Sequence, residues 1–64
     1  MASMITVKIK YDDNSRSQTE SWPCADPQPS VDVIRHVVAE AQLRWEDTVG
    51  SLRGTETHVT VKRQ

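Results

Sequence analysis

Sixty-four residues set a narrow bound: one domain, near the lower size at which a chain folds without disulfides, metal or a partner. Eight basic side chains against nine acidic ones leave a net charge of −1, which removes any bulk electrostatic argument for nucleic acid or anionic membrane. The single cysteine, Cys24, cannot close an internal disulfide, and no apolar run approaches the roughly 18–20 residues of a membrane helix. A reducing, cytoplasmic setting is therefore expected. Met4 offers a second candidate start, with residues 1–3 added ahead of it in a single domain spanning 1–64.

In chain order, Ile5, Val7, Ile9 and Tyr11 alternate with Thr6, Lys8 and Lys10. Period-2 alternation of this kind predicts a strand buried on one face. Asp12-Asp13-Asn14-Ser15 supplies turn chemistry, because short polar side chains bond their own backbone and tolerate left-handed φ. The segment from Arg16 to Trp22 is polar until its end and has little to bury, so it is expected as an edge strand at most. Pro23, Pro27 and Pro29 then make a stiff connector, each fixing φ and turning the preceding residue away from helix.

From Ser30 to about Leu52, apolar residues recur at Ile34, Val37, Val38, Ala41, Trp45, Val49 and Leu52, the stripe of a helix with one buried face. Ser30 is the expected N-cap, and Asp32 suits the positive end of the helix dipole. Gly50 is the expected left-handed C-terminal cap, with Leu52 folding back as the accompanying apolar contact. After Gly54, Thr57, Val59 and Val61 alternate with Glu56, His58, Thr60 and Lys62, which predicts another strand.

The expected architecture is a small two-layer α+β domain of order β-β-α-β. Its three strands form an antiparallel or mixed sheet in spatial order 2-1-3, with the helix packed on one face. The expected core is Ile5, Val7, Ile9, Tyr11, Ile34, Val37, Val38, Ala41, Trp45, Val49, Leu52, Val59 and Val61.

Candidate chemistry is sparse. Asp32, His36 and Glu40 share a helix face, but a metal site needs further convergent ligands, and a solvated charged face is the better reading of them. Cys24 has no lysine or arginine close in sequence to activate its thiol. Ser30, Asp32 and His36 lie within two turns of one helix, a poor geometry for a nucleophile relay. No catalytic residue, cofactor, metal or small-molecule substrate is expected, and the chain reads as a non-enzyme.

Surfaces carry more. Lys8, Lys10, His58, Thr60 and Lys62, with Thr6 and extended by Arg16, fall on the sheet face opposite the helix and make it basic. Trp22 stands at the end of a polar strand, either as a lid on the core or as an aromatic anchor of the kind enriched at binding hot spots. The expected function is a small protein-interaction module, self-associating as a homodimer or docking a protein partner. Docking would use the exposed sheet face, a strand edge or the Trp22 region. The alternative is a nucleic-acid-binding accessory protein using Lys8, Lys10, Lys62 and Arg63, although that face lacks the aromatic residues on which bases stack.

Overall fold

The computed structural model describes residues 2–63. Strand β1 (Ser3–Tyr11) and strand β2 (Ser17–Cys24) form a hairpin, helix α1 (Val31–Val49) follows, and strand β3 (Thr55–Arg63) closes the chain. Asn14, at φ 61°, is the left-handed residue of the hairpin turn. The turn is closed by the Tyr11 amide donating to the Arg16 carbonyl at 3.0 Å. β2 extends beyond the expected Trp22 through Pro23 to Cys24, and it is an edge strand as its polar sequence implies.

Helix α1 begins where Ser30 accepts a hydrogen bond from the Val33 amide, satisfying one of the four amides left free at a helix start. It stops at Gly50, whose φ of 101° turns the chain left-handed while its amide donates to the Glu46 carbonyl at 2.7 Å. Leu52 then packs back against the core.

The sheet order is β2-β1-β3, and both pairings are antiparallel. β2 and β3 therefore run in the same direction on either side of β1, with α1 as the crossover between them. The central strand, as its apolar alternation implies, carries the most buried face: Ile5, Val7 and Ile9 pack against Val37, Ala41 and Trp45. Tyr11, Trp22, Cys24, Ile34, Val38, Val49 and Leu52 close around them, half-buried. Ser3 is buried as well, and its hydroxyl donates to the Asp26 carbonyl at 2.6 Å, tying the proline-rich connector to the start of β1.

Two expected core residues are not covered. Val59 and Val61 pair with Val7 and Ile5 and so face the helix side, yet they remain 39% and 38% exposed. The cause is width. A helix is about 10 Å across and strands lie about 4.8 Å apart, so one helix roofs about two strands. Here α1 lies over β1 and β2, and it reaches β3 chiefly where the Gln42 amide approaches the Thr57 hydroxyl at 3.5 Å. Among the described residues no helix is long and apolar enough to cross a membrane.

Candidate docking surface along β3

The helix covers the strand that has less to bury. On the helix side β2 presents Gln18, Glu20, Trp22 and Cys24, because these pair with Ile9, Val7, Ile5 and Ser3 of β1. All four are half-buried. Glu20 is held there by Arg44, whose guanidinium lies 3.0 Å from the carboxylate and whose carbon sits 6.0 Å from the Trp22 ring centre. Trp22 is thus a lid between core and guanidinium. Cys24, a free thiol at the end of β2, packs half-buried on the core's rim.

Opposite, the helix side of β3 presents half-buried Thr57, which Gln42 approaches, and then Val59, Val61 and Arg63, which are exposed. The flank of α1 that Gln42 turns toward β3 also carries Val31 and Val38, eleven and four residues earlier on the same side of the helix. Val31 is 63% exposed. Where the connector meets the end of β3, Pro27, Gln28, Pro29, Ile34, Val61 and Arg63 line a shallow groove of about 350 Å³. The apolar surface therefore runs from this groove along β3 to the outer margin of the sheet.

The two sheet margins differ in chemistry. β2 contains Pro23, which has no N–H to donate and which a strand accommodates where that position faces away from its neighbour. β3 holds nine residues without proline, so its outer N–H and C=O groups form an uninterrupted row.

The outward face of the sheet is mixed. Lys8, Lys10, His58, Thr60 and Lys62 do share it, because Lys8 pairs with His58, Lys10 with Glu56, and Thr6 with Thr60. Glu56 stands among them, 3.9 Å from the Lys10 ammonium and 3.3 Å from the His58 ring nitrogen. Lys10 also donates to the Asn14 side chain at 2.8 Å. Arg16 is exposed at the foot of the hairpin, while Arg63 lies on the helix side and cannot join the basic face. His36 and Glu40 approach to 3.3 Å on the open side of α1, and no three His, Cys, Asp or Glu side chains among the described residues are placed to hold a metal ion.

The alternation on β3 places its valines on the correct face, but the contrast between polar β2 and valine-bearing β3 points to a helix over β3, the opposite of what is found. No protein-family model, no curated protein and no solved structure matches the chain.

Proposed function

We propose that this chain is a non-enzymatic protein-interaction module that receives an extended polypeptide segment along β3. One observation supports this above others: the helix roofs Gln18 and Glu20 of β2 and leaves Val59 and Val61 of β3 open. A monomer optimised for its own stability places its valines under the helix. A strand seated beside β3 pairs with the free backbone groups and sets its own inward side chains beside the valines, the strand-addition mode of peptide recognition. The half-buried position of Cys24 away from any partner thiol agrees with work in a reducing, cytoplasmic compartment.

Site-specific photocross-linking in cells that express the chain tests the reading. A photoreactive side chain at position 61 is expected to form adducts that the same group at Lys8, on the opposite face, does not form. Adducts from position 8 alone would overturn it. They would favour a second reading, supported by the exposed Lys8, Lys62 and Arg16, in which the outward face contacts nucleic acid. That reading requires binding that falls steeply with salt and with Lys8→Glu.

A further inference from the structure

The proposed docking surface leaves its occupant open, and β3 itself supplies one. We infer that the segment seated on β3 is β3 of a second copy, paired antiparallel about a twofold axis through Val59; this rests on the docking reading above.

The register follows from the strand's own sequence. With the axis at Val59, Thr55 faces Arg63 of the second copy, Glu56 faces Lys62, Thr57 faces Val61, and His58 faces Thr60. All nine residues of the strand are then paired. Each copy contributes one Glu56–Lys62 pair, so two opposite-charge contacts form directly across the new ladder, the arrangement that favours a cross-strand pair. Moving the axis to Thr60 sets His58 against Lys62 and carries Glu56 past Arg63, the end of the facing strand. Moving it to His58 sets Glu56 against Thr60. Charge complementarity therefore selects one register.

The faces agree as well. Residues opposite each other in a sheet project to the same side, so an axis through a residue keeps both helices on one face of a continuous six-stranded sheet. Val59 of the two copies meet at the axis, and each Val61 lies beside Thr57 of the other copy. The valines of both chains thus come together between the two helices, where each monomer leaves them open. Glu56 and Lys62 lie on the opposite, solvated face, where Glu56 already stands near Lys10 of its own sheet. Such an interface is small and rests on a strand margin, so association in the micromolar range, roughly, is expected from its size class.

Sedimentation equilibrium of the purified chain with two charge reversals tests this. The unaltered chain is expected to show a concentration-dependent monomer–dimer equilibrium. Glu56→Lys and Lys62→Glu each create two like-charge contacts and are expected to weaken the dimer by about tenfold or more. An equimolar mixture of the two variants recreates both opposite-charge contacts, in a heterodimer, and is expected to restore association. Both side chains are exposed, and circular dichroism of each variant reports whether the monomer keeps its helix. As an independent measurement, Val59→Cys in a Cys24→Ser background is expected to link to its own copy under mild oxidation faster than Val61→Cys does, because position 59 alone meets itself.

A chain that stays monomeric at high micromolar concentration overturns the inference, as does a dimer indifferent to both reversals or a mixture no tighter than its components. If the purified chain is monomeric while position 61 still cross-links to a different protein in cells, the second copy is ruled out and the docking reading stands.

Discussion

The ring of Tyr11 meets the ring of Trp45 edge-on, with centroids 5.3 Å apart and planes at 71°. This contact joins the end of β1 to the last turns of α1, and the indole nitrogen of Trp45 extends it by donating to the Ser51 carbonyl at 3.0 Å. Edge-on packing places the positive rim of one ring on the negative face of the other. Trp45 is completely buried, so the centre of the core, the helix end and the loop after it all depend on one side chain.

Removing that ring is expected to be severe. Trp45→Ala forfeits about 3–5 kcal/mol by burial and cavity formation. A domain of this size has a total stability of roughly 3–10 kcal/mol, so the variant is expected to lose most or all of its cooperative unfolding transition in urea. Tyr11→Leu keeps the apolar bulk and is expected to cost about 1 kcal/mol, read as a lower urea midpoint with an unchanged slope.

Val7 and Val59 are direct neighbours across β1 and β3, yet one is 1% exposed and the other 39%. Threonine is nearly isosteric with valine and brings a hydroxyl. Val7→Thr is expected to cost about 1–3 kcal/mol because that hydroxyl is buried without a partner. Val59→Thr is expected to change monomer stability by less than about 0.5 kcal/mol, since water reaches the site. Equal costs in chemical denaturation at low protein concentration would contradict the assigned burial.

This pair also marks how far sequence reasoning reaches. Alternation settles which face a side chain points to, and it did so for Ile5, Val7, Ile9, Val59 and Val61 alike. The caps were legible too, since Ser30 and Gly50 carry local chemistry that acts where it stands. Cover is a different matter: it depends on where a helix settles across a sheet, and here it settles where Arg44 meets Glu20 and Trp22 of β2. The direction of β3 is likewise not legible in its own residues, because it depends on how the connector and the helix run; the pairing with β1 is antiparallel.

The hairpin turn carries a pH signature. Hydrogen bonds from Ser15, the hydroxyl first and the backbone amide second, hold the Asp13 carboxyl below its ordinary value of 3.8. A group whose folded value is depressed stabilises the fold above its unfolded value, and that contribution is lost as pH falls through the folded value. The turn is therefore expected to loosen only in acid below that ordinary carboxylate value. Carbon-13 titration is expected to place Asp13 below a normal aspartate, and Ser15→Ala to bring it back up. An Asp13 midpoint unaffected by that change would argue against the assignment.

Gly50 offers a test of backbone conformation alone. A Cβ added there would meet no atom within 4 Å, so its φ of 101° is the sole obstacle to a side chain. Gly50→Ala is expected to cost about 1 kcal/mol and to fray the last turn of α1, visible as faster amide exchange around Glu46 to Val49. Gly50→Asn, which tolerates left-handed backbone better, is expected to recover part of the loss.

Pro23 has a bearing on behaviour at high concentration. A sheet with two uninterrupted margins is a seed for endless lateral accretion, because each arrival exposes a fresh margin like the one it occupied. Here the ladder along β2 is broken near its end by a residue with no hydrogen to give. A chain that settles beside β3 consumes the continuous margin and presents an interrupted one in return. Growth that begins on one side meets a stop on the other, and the count of strands stays finite.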